Sequence, residues 1–258
     1  MTEREWLDCT NPIPMLHFLA GTPSRRKLRL FGCACARRVW RWLTDVRSQR
    51  AAEVAERFAD GAATERELDD AHEAAAHAAA EAQARFNAAS QGWAATWAAH
   101  AEWAAAIAAE DAAGADHGAE AAEAAASWYD DLAPDVTWPV YRAQEAARDA
   151  ARAAGINDAR AWAAADAVER DHQAALLRDI FRPFRPATVD SAWLRWNDGA
   201  VAKIAHGIYT DRTFDLLPIL ADALEEAGCT DPAILDHCRQ PGEHVRGWWV
   251  VDLILGKE

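Results

Sequence analysis

Cysteine and histidine are the side chains in this sequence most able to bind a metal or carry redox chemistry. The chain has five cysteines and nine histidines, and six of these residues stand near the two ends of the chain. They are Cys9, Cys33, Cys229, His237, Cys238 and His244. If the two ends approach each other in space, thiolate and imidazole ligands of the kind that zinc prefers could converge there. A terminal metal or redox site is therefore one hypothesis for this protein.

The stretch "FGCACARRVWRW" at 31–42 places two of the cysteines one residue apart. On a helix, Cys33 and Cys35 lie about 200° apart, so both cannot face one ion without unwinding. Cys35 falls on the apolar stripe of this helix, and unpaired cysteine is among the most buried residue types. An odd number of cysteines without framework spacing also indicates thiols rather than disulfides. The pattern therefore favours a helix interior in a cytosolic protein.

Three spacings in the helical middle resemble metal motifs. The histidines of "HEAAAH", His72 and His77, are one residue further apart than in a zincin, so they do not share a helix face. "ERDH" contains Glu169 and His172 at the Glu-x-x-His spacing of di-iron bundles, and "DDAH" contains a similar Asp69–His72 pair. A chain this rich in Asp and Glu produces such spacings by chance, and the bland interpretation of all three is a solvated helix face.

A cationic segment stands out against an overall charge of −14. Between Ser24 and Arg50 there are nine basic residues and one acid, a net +8, while the remainder of the chain carries −22. Arg37, Arg38 and Arg41 are the candidate binding residues of this segment. They could pair with acids of the same chain, or they could contact an acidic protein partner. Nucleic acid is the poorer partner, because the acidic remainder would repel its phosphates.

Signatures of other enzyme classes are missing from the sequence. It contains no G-x-G-x-x-G, no G-x-x-x-x-G-K-[ST] and no G-x-S-x-G. Asp198 precedes a glycine as a turn or cap residue does, and Asp222 fits a solvated helix position. No apolar run approaches the roughly 18 residues of a membrane span, and no secretory leader is visible. The sequence thus predicts no cofactor, no membrane contact and a binding role rather than catalysis.

Helix signals cover nearly the whole chain, and sustained strand alternation is missing. "TERE" occurs at Thr2–Glu5 and again at Thr64–Glu67, and each copy has the form of a capping box. The helix that carries the arginines should run from about Ser24 to Leu43, with Leu28, Phe31, Cys35, Val39 and Trp42 on its apolar face. Further helices are predicted at 46–60, 64–90, 92–113, 118–132, 138–154, 158–181 and 213–227, the last from a Thr213 cap to Gly228. The stretch 244–256 could form a helix or a strand, and a helix ending at Gly256 is favoured.

Residues 62–175 differ in composition from both ends of the chain. Fragments such as "AEWAAAIAAEDAA" and "AQEAARDAARAA" are rich in alanine and dotted with Trp, Glu and Arg, with no strict period. Alanine favours helix and lets helix axes approach closely. Trp93 and Trp97 are one turn apart and could pack on a neighbouring alanine face. An antiparallel bundle or an array of helical hairpins is the predicted object, with a solvated single helix as the alternative.

The two ends resemble a family of uncharacterised bacterial proteins. The matching stretches include "EWLDCTNPIPMLHFL" and "RKLRLFGCACARRVW" at one end, and "FDLLPILADALEEAGC" and "HVRGWWVVDLILGK" at the other. The resemblance covers roughly half of the chain and implies no activity or ligand. Members of that family carry Cys where this chain has Ala36 and Trp248, and these two departures weaken the case for an obligatory metal cage.

Together these features predict an all-α protein, a helical bundle with a composite core. Residues 1–61 and 172–258 are expected to form that core, and 62–171 to project from it as an Ala/Trp-rich helical insert. The favoured function is a non-catalytic interaction or scaffold module. A metal-binding or redox protein is the alternative, and an enzyme with an unfamiliar all-helical active site is the third hypothesis.

Overall fold

The computed structural model describes residues 1–19, 24–88, 106, 109, 134–155, 158–184, 187–242 and 244–257, with only the backbone at 134–139. Helices dominate these residues, and no strand occurs among them. The predicted all-α class is therefore confirmed. The chain divides into two compact units, a first unit of Met1–Leu177 and a second unit of Arg178–Glu258.

The described part of the first unit is built on α-helices. They are α1 (Glu3–Asp8), α2 (Pro12–Leu19), α3 (Arg25–Arg38), α4 (Val46–Ala59), α5 (Glu65–Ala88), α6 (Pro134–Ala153) and α7 (Ala159–Ile180), with a 3-10 turn at Trp40–Trp42. The last three residues of α7 belong to the second unit. α3 packs against α4 and α6, and α4 packs against α5. Part of the Ala-rich region thus packs directly on the N-terminal helices.

α3 is the central helix of this unit. Every residue from Arg29 to Ala36 is buried, so its middle is surrounded by protein rather than buried along one stripe. Both Cys33 and Cys35 lie in this core, fully buried. The α-helix ends at Arg38, earlier than predicted, because the chain tightens into the 3-10 turn that carries Trp42. Leu28 and Trp42 are only half-buried as a result of their places near its two ends.

Capping residues fix where several helices begin. Thr2 and Glu5 exchange both hydrogen bonds of a capping box at the start of α1. Thr64 and Glu67 do the same before α5. Both capping-box predictions are therefore confirmed. α6 begins at Pro134 rather than at 138, because proline is well suited to the first helical position, where its missing N–H has no partner.

α6 and α7 form a helical hairpin that buries polar groups. Gln144 Nε2 donates to Gln173 Oε1 at 2.7 Å, and Gln173 Nε2 donates to the Val140 carbonyl at 3.1 Å. Both glutamines are buried. Because buried polar groups are costly unless they are satisfied, these bonds fix how the two helices align.

The second unit contains shorter helices around a core rich in Leu, Ile and Trp. They are α8 (Ser191–Arg195), α9 (Ala200–Asp211), α10 (Leu217–Glu226), α11 (Pro232–Arg239) and α12 (Trp249–Leu255), with 3-10 turns at Trp196–Gly199 and Phe214–Leu216. α9 packs on α10 and α12, and α10 packs on α11. Val201, Leu220, Leu224 and Trp248 are among the core residues with no exposed surface.

Glycines end two of these helices as the sequence predicts. Gly228 has φ 95°, and the amide of Cys229 reaches back to the Leu224 carbonyl at 2.9 Å, which completes a Schellman motif. Gly256 has φ 64° and ends α12, so the helical prediction for 244–256 is confirmed, although the helix starts only at Trp249. Thr213 makes no side-chain capping bond, so that detail of the prediction is wrong.

Two further predictions, the helices in the middle of the chain and the composite core, are not decided by the described residues. The helices at 92–113 and 118–132, with Trp93 and Trp97, lie almost entirely outside the described residues. The composite core of 1–61 and 172–258, with 62–171 as an insert, stays a prediction. In the described part of the chain, no helix is long and apolar enough to cross a membrane.

Candidate functional site

Arg37 forms an ion pair with another residue of the first unit. Its guanidinium donates to both carboxylate oxygens of Glu56, at 2.6 and 2.9 Å, and lies over the ring of Trp40. Glu56 sits on α4 and is 2% exposed. A bidentate pair of this kind, made to a buried carboxylate, locks α3 to α4. Arg37 therefore behaves as the intramolecular alternative predicts.

Arg38 joins α3 to α7. Its Nε lies 2.9 and 3.0 Å from the two oxygens of Glu169, and its Nη2 lies 2.7 Å from His172 Nδ1. Glu169 is buried, whereas His172 is exposed. Glu169 and His172, which form the Glu-x-x-His pair of the sequence, thus both contact the Arg38 side chain. Glu169 and His172 lie one turn apart on α7 and face the same guanidinium.

Arg41 is exposed in the middle of the 3-10 turn. Its guanidinium lies over the ring of Trp42, 4.1 Å from the ring centre. A guanidinium over an aromatic ring gains a cation–π attraction that leaves its N–H groups available as hydrogen-bond donors. Of the three predicted binding arginines, Arg41 is thus the one whose charge faces solvent.

A groove of about 610 Å³ opens beside these residues. Its floor is a row of alanines on α6 at helical spacing, and one wall is the Ala165 to His172 face of α7. Its lining comprises Arg38, Arg41, Trp42, Ala147, Ala150, Ala151, Ala154, Ala165, Val168, Glu169 and His172. Val168 is 57% exposed, which is high for an apolar side chain on a helix. The groove therefore combines a floor of small apolar groups with a polar, partly cationic end.

A second cluster lies within the second unit, around Asp179 in the last turn of α7. His244 Nδ1 is 3.2 Å from one carboxylate oxygen of Asp179, and His237 Nε2 is 3.5 Å from the other. Trp248 Nε1 donates to His237 Nε2 at 2.8 Å, and the rings of Trp248 and Trp249 both stack on His237. Two histidines thus share one carboxylate inside an aromatic enclosure.

The two histidines have opposite proton affinities. Burial lowers the pKa of His237 below its ordinary value, and the attraction of Asp179 does not compensate. Burial also opposes the charge of His244, but the hydrogen bonds to Asp179 and to the Gln240 carbonyl outweigh it and raise its pKa. His244 has an acceptor at each ring nitrogen, as an imidazolium needs, whereas His237 accepts from the Trp248 indole.

The cysteines among the candidate metal ligands lie in surroundings that disfavour metal binding. Cys33, Cys229 and Cys238 are buried, and Cys9 is half-buried; all are thiols. Burial raises the pKa of Cys238 to about 12 and raises that of Cys229, which disfavours the thiolates that bind metals. No group of three or more His, Cys, Asp or Glu that could hold a metal ion occurs in the described ranges.

The remaining motif residues have ordinary structural places. His77 is exposed and lies 3.9 Å from Glu73 one turn earlier. Asp222 is exposed and pairs with Arg239 at 2.7 Å. Asp198 has φ 54° in the turn before α9, as expected of a turn residue beside Gly199. These residues give no converging acid–base group.

Sequence patterns alone do not identify the residues that complete the groove and the cluster around Asp179. The sequence contains Trp42 and the alanine row of α6, but no local pattern in it predicts that either lies near His172. The spacing of Ala147, Ala150, Ala151 and Ala154 was the available signal, since it marks a single helix face. Asp179 and Trp248 had no local signal, because each contacts residues distant in sequence.

No protein-family model, no curated protein and no solved structure matches this chain.

Proposed function

We propose that this protein is a non-catalytic protein-interaction module whose contact surface is the groove of the first unit. The observation that carries the proposal is the pairing of an alanine-lined floor with the stacked, outward-facing Arg41 at one end. Small side chains let a partner backbone approach closely, and a stacked arginine is a common anchor of protein interfaces.

The buried ion pairs support this role by holding the groove in a fixed shape. Arg38 is tied to Glu169, and Arg37 is tied to Glu56, so the arginine-bearing end of α3 cannot shift relative to α4 and α7 without breaking one of these hydrogen-bonded ion pairs. A preformed surface loses less conformational freedom when a partner binds. The groove would therefore act as a rigid receptor.

The charge distribution favours an acidic protein segment as the partner. The cationic segment that carries Arg41 is locally positive in a chain whose net charge is −14. A short acidic segment would be attracted to the exposed charge of Arg41 and would meet less repulsion from the acidic remainder than a continuous phosphate backbone does. We further propose that the protein is cytosolic, where its five cysteines stay reduced. We also propose that it belongs to the family of uncharacterised bacterial proteins that its two ends resemble.

Filling the groove tests the proposal. Ala151→Trp would block the floor, whereas Ala164→Trp adds the same bulk at an exposed position of α7 that does not line the groove. Each tagged variant is isolated from the native host, and its associated proteins are quantified against wild type after thermal unfolding has shown equal stability.

The expected result is a partner that A151W loses and A164W retains. Equal recovery of every associated protein with both variants would contradict the groove as the contact surface.

A further inference from the structure

We propose that the Arg41 and His172 end of this groove binds the carboxylates of an acidic helical segment of a partner protein. The inference deepens the proposed function and rests on it, because it names the chemistry of the partner for the same surface. It follows from the hydrogen-bond roles and charges of four side chains, Arg38, Arg41, Glu169 and His172.

The contact with Arg38 determines which nitrogen of His172 carries the proton. Arg38 Nη2 lies 2.7 Å from His172 Nδ1. A guanidinium has donors only, so Nδ1 must accept. The neutral ring therefore carries its hydrogen on Nε2, and His172 presents a donor on the side away from Arg38. In this way Arg38 acts as a positioning residue, through His172.

At this end of the groove the charge of Arg38 is compensated by an acid, whereas the charge of Arg41 is exposed. The Arg38 guanidinium is matched by Glu169, whose side chain is 6% exposed and bonded through both oxygens. These two charges cancel at short range. Arg41 lies over the Trp42 ring instead, and its side chain is exposed to solvent. The lining thus offers one guanidinium and one imidazole N–H, both donors, and its carboxylate is already paired.

A carboxylate is the group that complements this arrangement. It accepts a forked pair of hydrogen bonds from a guanidinium, and its second lone pairs can accept from an imidazole N–H. A phosphate would do the same locally, but the alanine floor beyond this end offers no donors to the next phosphates of a nucleic-acid backbone. Acidic side chains of a protein are therefore the favoured source.

The alanine floor indicates a helical shape for the acidic segment. Ala147, Ala151 and Ala154 follow one face of α6, and Val168 stands opposite on α7. The small alanine side chains leave room for a third helix to pack on α6 at close range. An acidic residue on that helix would then reach Arg41 while its apolar face covers Val168.

A pair of synthetic peptides tests the inference on the full-length protein. The probe is an alanine-based helical peptide with a Glu on every turn, and its control is the same peptide with Gln in place of Glu. Binding is followed by NMR of the His172 ring nitrogens and of the arginine side chains. Arg41→Gln removes the proposed anchor, and Arg50→Gln removes another exposed arginine of the same segment that does not line the groove.

The Glu peptide should shift the His172 Nε2 signal and bind R41Q about tenfold more weakly than wild type, with R50Q unchanged. Arg41→Lys, which keeps the charge but loses the fork, should fall between them. Equal binding of the Gln peptide, or an unchanged affinity in R41Q, would overturn the inference.

Failure of the inference and failure of the proposed function are distinguishable. If the Glu peptide does not bind while A151W still loses a partner in the host, the carboxylate inference is wrong and the interaction surface stands. If A151W also retains every partner, both are wrong.

Discussion

The indole of Trp248 donates its hydrogen bond to Nε2 of His237, at 2.8 Å. Trp248 is fully buried and immediately precedes α12, so this bond ties the C-terminal helix to α11. It also requires that His237 keep Nε2 unprotonated. Asp179, 3.5 Å from the same nitrogen, would attract a proton there, and Arg182 and His244 oppose it. The stability of the second unit should therefore depend on pH.

His237 makes the second unit less stable in acid. Its pKa in the folded protein is lowered, chiefly by burial, whereas an unfolded histidine titrates near 6.5. Below about pH 6.5 the unfolded chain binds more protons than the folded one, so the free energy of unfolding decreases as the pH falls. Denaturant unfolding followed by the Trp248 indole NMR signal measures this loss. His237→Gln should flatten the acid side, and the exposed His206→Gln should leave it as in wild type.

His244 has the opposite effect on the alkaline side. Its pKa is raised because the bonds to Asp179 and Gln240 outweigh burial. A raised pKa contributes stability that is complete below about pH 6.5 and is lost as the pH rises through the folded pKa. In the same unfolding measurement, His244→Gln should remove this alkaline decline. A decline that persists in H244Q would show that another group causes it.

Arg37 should matter for stability far more than an exposed arginine. Arg37→Gln withdraws a bidentate partner from the buried Glu56, and we expect a loss of about 3 kcal/mol in the free energy of unfolding. The matched control is Arg57→Gln, whose pair with Glu67 is about half exposed on each side and should change stability by no more than about 0.5 kcal/mol. Chemical denaturation of both variants provides the comparison, and equal losses would refute the distinction.

The buried cysteines should be inert in the folded protein. Burial raises the pKa of Cys35 well above its ordinary value, with the charge of Glu169 adding to the effect. Alkylation depends on the thiolate, so iodoacetamide at neutral pH should modify the half-buried Cys9 first and Cys35 only after unfolding. Mass spectrometry of peptides against time measures the order. Rapid modification of Cys33 or Cys35 in the native protein would revive the redox alternative.

The sequence predicts the helices of this protein better than its contacts. Thr2 and Glu5 form a capping box because the signal is local, and Gly228 ends its helix for the same reason. The pairing of Arg38 with Glu169 spans 131 positions, and no local rule selects Glu169 from so many acids. The acidic excess predicts that the arginines pair within the chain, but it does not say which arginine stays outward. Arg41 does so because the 3-10 turn places it on Trp42, a local break that helical periodicity misses.

Site-specific photo-crosslinking in the native host tests the central claim most directly. A photoreactive residue replaces Val168 in the groove or, as a control, Val46, which is 72% exposed and lies outside the groove. We predict a discrete crosslinked partner at Val168 that is absent at Val46 and lost when Arg41→Glu is added. Crosslinks that are the same at both positions, or that persist unchanged with R41E, would contradict an acidic partner in this groove.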